Sequence, residues 1–143
     1  MQLVRTSSFL RWVLFADAAT CVATGLLMTF GSGPLGEYLG LPPGLLLYSG
    51  ISLFPFAALL VYLATREALS SLVVWMVIVL NALWAVDSIL LLLTGWVAPT
   101  ELGRTFVVAQ ALGVAVFAIL EYVGLKRSLT TSSNIDRTTQ SRA

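Results

Sequence analysis

Four uninterrupted apolar stretches, each about as long as a bilayer's hydrocarbon core is thick, leave this chain few ways to fold. A helix needs roughly 20 residues to cross that core, at about 1.5 Å per residue. The stretches run from about Leu10 to Phe30, Leu45 to Thr65, Ser71 to Gly95 and Thr105 to Leu125. They show no alternation of period two, which a membrane β-barrel would require. The predicted fold is therefore all-α: a four-transmembrane-helix bundle over residues 1–127. Residues 128–143 are predicted to be a disordered cytoplasmic tail, rich in Ser and Thr with only Leu129 and Ile135 as large apolar residues.

Composition closes the alternatives. Of 143 residues 58% are hydrophobic and 10% charged, against roughly 25% charged in a soluble domain. A small domain leaves much of its surface wet and could not hide this much apolar area. A net charge of +1 provides no field for nucleic acid. One Cys and no His exclude an internal disulfide and remove the usual ligands for zinc, copper or haem iron, so neither metal nor cofactor is predicted.

Arg5 and Arg11 ahead of the first stretch, with Ala16-Asp17-Ala18 behind them, mimic a secretory signal. Cleavage there would leave only Trp12 to Phe15 as its apolar core, below the usual length. The segment is read as a retained first span.

The connections carry fitting punctuation. Gly31-Ser32-Gly33-Pro34 ends the first span and Pro42-Pro43-Gly44 opens the second, where Pro is tolerated in a first helical turn. Thr65-Arg66-Glu67-Ala68 reads as a short polar turn, predicting that the second and third spans are antiparallel neighbours. Pro99-Thr100-Glu101 separates the third and fourth, with Thr100 or Glu101 near a helix start. Leu35, Tyr38, Leu39 and Leu41, set among Gly and Pro, read as a short outer amphipathic segment between the first two helices.

Orientation follows from the positive-inside rule. With both termini in the cytoplasm, Arg5, Arg11, Arg66, Lys126, Arg127, Arg137 and Arg142 lie inside and only Arg104 outside. The predicted location is a bacterial inner membrane, multi-pass, with lipid as the surrounding partner.

The informative residues are those that are costly at membrane depth. An Asp at the centre of a span costs about 2.5–3.5 kcal/mol on insertion scales, so it should face the bundle interior and find a partner. Asp17, Thr20, Cys21 and Thr24 form one stripe on the first helix, and Asn81, Trp84 and Ser88 share a face of the third, with Asp87 nearby. The second helix contributes Ser49, Ser52 and Pro55; Gln110 and Glu121 of the fourth lie at nearly the same angle.

Depth sorts these side chains into an outer group of Thr24, Ser49, Ser52, Asp87 and Gln110, and an inner group of Arg11, Asp17, Arg66 and Glu121, with Asn81 between. Glu121 is expected to pair with Arg11, Arg66 or Lys126. Asp87 is expected either to join a packing network with Gln110 and hydroxyls or to form a proton- or ligand-binding site. Ala19, Ala23, Ala109 and Gly113 offer small-residue spacing for close helix contact.

Asp17 and Asp87 are each followed, seven residues on, by Thr-Gly (Thr24-Gly25 and Thr94-Gly95) and then by a loop with Pro, Glu and Leu-Gly. That is the pattern expected of a duplicated hairpin or of coincidence in an apolar sequence.

Phe15-Ala16-Asp17-Ala18-Ala19, Asn81 to Ser88 and Leu120-Glu121-Tyr122-Val123-Gly124-Leu125 resemble small bacterial inner-membrane proteins of four helices, a resemblance that covers about residues 9–127 and implies no activity. In size and hairpin layout the chain is also loosely similar to the DoxX-like family, some of whose members are linked to redox or quinone-associated complexes. Gly25 to Phe30 lack that family's Lys-containing pattern, so no residue role carries over.

Three functions are compatible with these residues. The first is a non-enzymatic accessory or assembly subunit, or a small homo-oligomer. The second is a proton-linked transporter or channel using Asp17 and Asp87, and the third a lipid- or quinone-binding membrane enzyme with Asp87 as base and Gln110 as orienting donor.

Overall fold

The computed structural model describes residues 2–142, so the first residue of the expected bundle and the last of the expected tail lie outside it. Its elements are β1 (Leu3–Arg5), α1 (Ser8–Phe30), α2 (Ser32–Leu39), α3 (Pro43–Ala64), β2 (Ala68–Ser70), α4 (Ser71–Leu93) and α5 (Glu101–Arg142). α1, α3, α4 and α5 are long and apolar enough to cross a membrane.

Between 17% and 39% of each helix's most apolar window is buried within the chain. Leu72, Leu83, Val86, Leu93, Leu112 and Ile119 are all at least half exposed. An outer surface of this kind is suited to hydrocarbon rather than water.

Local signals set the helix ends. Ser7 caps α1, its hydroxyl accepting from the amide of Leu10 at 3.1 Å, which satisfies one of the orphan donors of the first turn. α3 begins on Pro43. Gly40 closes α2 in the left-handed region at φ 65°, where a side chain would be strained and a Cβ would meet the carbonyl of Ala98.

Thr100 opens α5 in a comparable way to Ser7. Its hydroxyl accepts from the Gly103 amide at 3.1 Å and donates to the Tyr38 carbonyl at 2.8 Å, while its own amide donates to the Leu39 carbonyl. Thr100→Ala is expected to cost about 1–2 kcal/mol, the upper part of the range for a lost cap, because it also frees α2. Thermal unfolding in detergent checks this.

The helices pack as two pairs. α3 lies along α1, α5 lies along α4, and α1 meets α5 to join them, whereas α3 and α4 scarcely touch. The expected neighbour relation of the second and third spans is thus corrected, and the connection supplies the reason.

Residues 68–70 form β2, which pairs antiparallel with β1 in the register Leu3 to Ser70, Val4 to Leu69 and Arg5 to Ala68. Flanking bonds from the Thr6 amide to the Glu67 carbonyl and from the Ser71 amide to the Gln2 carbonyl lengthen the ladder. The chain is pulled toward its own N-terminal strand and sets α4 down away from α3.

The same end of the bundle receives α5. Ser128, fully buried, accepts from the Ser7 amide at 3.1 Å, and Ser132 from the Arg5 amide at 3.4 Å. β1, the α3–α4 connection and the C-terminal part of α5 therefore share one end. Where the sequence predicts disorder from residue 128, α5 continues as helix to Arg142, docked through Ser128 and Leu129 and exposed on all sides from residue 133.

Three of the cations at this end lie on rings. Arg66 sits 4.3 Å from the Tyr62 ring centre, Arg127 4.6 Å from Phe9 and Lys126 5.0 Å from Tyr122.

Candidate functional site: a buried carboxyl pair beside a lateral cleft

Three of the polar residues singled out in the sequence meet in the interior. Asp17 on α1, Asn81 on α4 and Glu121 on α5 are 1%, 3% and 0% exposed. The Asn81 amide nitrogen donates to Asp17 Oδ2 at 2.8 Å and to Glu121 Oε2 at 3.1 Å. One amide group with two hydrogens thus serves two acids from two other helices. Cys21, one turn from Asp17, donates its thiol to Asp17 Oδ1 at 3.6 Å.

Local sequence explains why these side chains can converge. Ala118, Glu121, Gly124, Leu125 and Ser128 are the buried residues of that part of α5, a mostly small stripe that brings its backbone close to α1. A Cβ on Gly124 would come within 3.1 Å of the Cα of Leu10. On α1, Leu14, Asp17, Ala18 and Cys21 are the matching buried positions.

The charge arrangement is unusual. Among the described residues the one ion pair is Arg104 with Glu101, at 3.9 Å on the surface, and no cation bonds Asp17 or Glu121. Glu121 Oε1 is buried without any hydrogen-bond partner. The expected pairing of Glu121 with Arg11, Arg66 or Lys126 is not formed: Arg66 and Lys126 lie on aromatic rings, and the buried Nε of Arg11 has no partner. No group of three His, Cys, Asp or Glu among the described residues is placed to hold a metal ion.

The expected outer group does not assemble. Asp87 is exposed, about 120° around α4 from Asn81 at ~100° per residue. Gln110, Thr24 and Ser49 are half-buried, and Ser52 turns its hydroxyl onto the Ser49 carbonyl at 2.7 Å. Ser88 likewise donates to the carbonyl of Trp84 within its own helix. Such bonds satisfy hydroxyls locally and leave them no need of a neighbouring helix.

The suspected repeat does not place its residues alike either. Asp17 is buried and Asp87 exposed; a Cβ on Gly25 would meet the Gly50 carbonyl at 3.1 Å, whereas Gly95 is in open space. The small residues Ala19, Ala23, Ala109 and Gly113 face outward, and close helix contact is made instead at Gly25, Gly50 and Gly124.

Because α3 and α4 scarcely touch, a cleft of about 220 Å³ lies between them. Ser52, Leu53 and Phe56 form its α3 wall, and Leu80, Asn81 and Trp84 its α4 wall, with Cys21 of α1 behind. Two of these residues, Cys21 and Asn81, are also the hydrogen-bond donors to Asp17. The cleft therefore reaches the carboxyl pair through a single layer of side chains. No family model, no curated protein and no solved structure matches the chain.

Proposed function

We propose that the chain is a multi-pass protein of a bacterial inner membrane, with both termini in the cytoplasm, that binds and releases a proton at Asp17 and Glu121 as part of proton-linked transport. The observation that carries this reading is the two carboxyls held on one neutral amide with no cation bonded to either. Two negative charges in so dry a site would repel at short range and lack compensating solvent. Sharing a proton removes that cost, as it does where two carboxyls occupy one site.

The unpartnered Glu121 Oε1 is a natural place for that proton. An intramembrane acid is a functional candidate by default, because it is expensive where it stands. Asp87, outward on α4, is left out of the role. The orientation is supported by the basic residues at the end shared by β1, the α3–α4 connection and α5, with Arg104 at the opposite end.

The test is labelling of protein in liposomes with a hydrophobic carbodiimide, which adds only to protonated carboxyl groups. The expected result is modification of Glu121 or Asp17 at neutral pH, declining as the pH is raised, and slower proton flux in the labelled protein. Labelling confined to Asp87, or none within the spans, would overturn the reading and favour a structural accessory subunit.

A further inference from the structure

The cleft between α3 and α4 has its own chemistry. Its volume, about 220 Å³, exceeds the roughly 150 Å³ that accommodates benzene in an engineered apolar cavity. A six-membered ring with a few substituents therefore fits. Phe56 and Trp84 supply flat apolar surface, Leu53 and Leu80 aliphatic surface.

The polar element is specific in sign. Both carboxyl oxygens that contact Asn81 are reached through its amide nitrogen, so its carbonyl Oδ1 points elsewhere. Among the described residues nothing donates to that oxygen, and it is not among the fully buried orphans. Asn81 lines the cleft, so what it offers an occupant is an acceptor.

An acceptor in an apolar cleft selects a donor, because a buried polar atom left unpaired is costly. We infer that the α3–α4 cleft binds a lipid-dissolved ring compound bearing a hydroxyl group, with the hydroxyl donated to Asn81 Oδ1 and the ring between Phe56 and Trp84. The inference rests on the membrane placement in the proposed function and is independent of the proton. Entry is from the side: α3 and α4 are not closed against each other, and Ser52 at the cleft is exposed.

The experiment uses the full chain in lipid nanodiscs with Trp12, Trp75 and Trp96 replaced by Phe; all three are exposed, and Trp84 is left as the only indole. 4-Bromophenol, a heavy-atom quencher that can donate, is titrated against 4-bromoanisole, which cannot. Saturable quenching is expected with the phenol, at least ten-fold tighter than with the anisole, and lost in Ser52→Phe, which fills the cleft from an exposed position. Ser49→Phe, outside the lining, should leave it unchanged.

Equal affinity for the two probes would overturn recognition of the hydroxyl. Quenching that never saturates, or that survives Ser52→Phe, would overturn the pocket itself. A change of oligomeric state in Ser52→Phe with no probe binding in the parent would show a second copy covering the cleft, and would also overturn it. Carbodiimide labelling of the same preparation without probe reads the proton site separately, so each idea can fail alone.

Discussion

Asn81→Leu should destabilise the folded bundle by about 1–3 kcal/mol, the range for leaving a buried polar group without its hydrogen-bond partner. A single interhelical hydrogen bond in a membrane averages only about 0.6 kcal/mol in double-mutant cycles, because each partner finds substitutes when separated. Three facts raise this case above that average. Asn81 serves two acids at once, both are at most 1% exposed, and among the described residues no other donor group bonds Glu121.

Leu fills the same space, so little of the loss can be assigned to a cavity. Replacing all three polar residues together, as Asp17→Leu, Asn81→Leu and Glu121→Met, should recover most of the loss, since well-packed apolar substitutes for a buried polar triad are often neutral or better. Unfolding in mixed detergent micelles measures both variants. A single Asn81→Leu protein within 1 kcal/mol of the parent would mean that the acids are satisfied by something else, and the site as described would not exist.

How far the site could be read beforehand depends on which forces leave a trace in side-chain order. The four long helices were legible because each needs an unbroken apolar run, and hydrophobicity is written residue by residue. The start of α5 was marked by the hydroxyl of Thr100, whereas the cap at Ser7 lies ahead of the Leu10 at which the first span was expected to begin.

The β1–β2 ladder was not legible, because backbone groups make it and three residues per strand are too few to show a period. That ladder decides which helices are neighbours, so the separation of α3 from α4, and with it the cleft, was hidden for the same reason.

Glu121 illustrates a second limit. With a span taken to end at Leu125, an acid one turn inside should belong to the interface and pair with Lys126 or an Arg. In fact α5 runs on to Arg142 and is docked at Ser128, so Glu121 lies deep within packed helix. The signal that could have found it was the run of small residues on its own face, Ala118, Gly124 and Ser128, which requires another helix alongside.

Asp87 failed in the opposite direction. Insertion cost argues that an acid turns inward, yet its angle on α4 relative to Asn81 places it outside.

The tightest constraint on the α1–α3 pair is at Gly50, and Gly50→Leu should cost about 3 kcal/mol or more, at or beyond the upper end for overpacking. A Cβ there would stand 2.6 Å from Thr29 Oγ1, 2.9 Å from the Thr29 amide nitrogen and 3.0 Å from the Met28 Cβ. The hydroxyl can rotate away, but the amide belongs to the α1 backbone and can yield only if the helices part.

Gly50→Ala should already lose about 1 kcal/mol or more, since those contacts are made by its own Cβ and the backbone entropy returned by removing a helical glycine, up to about 1 kcal/mol, offsets only part of the strain. The expected series is graded: Ala below the parent, Val lower, Leu lowest. Gly113, with nothing within 4 Å of its Cβ position, is the control, and Gly113→Ala should be neutral or stabilising by up to about 1 kcal/mol. Thermal unfolding of the four variants in one detergent decides it. Equal effects of Ala at both glycines would remove any close approach particular to Gly50, whereas a loss that grows with side-chain size at Gly50 alone places the closest approach of α1 and α3 there.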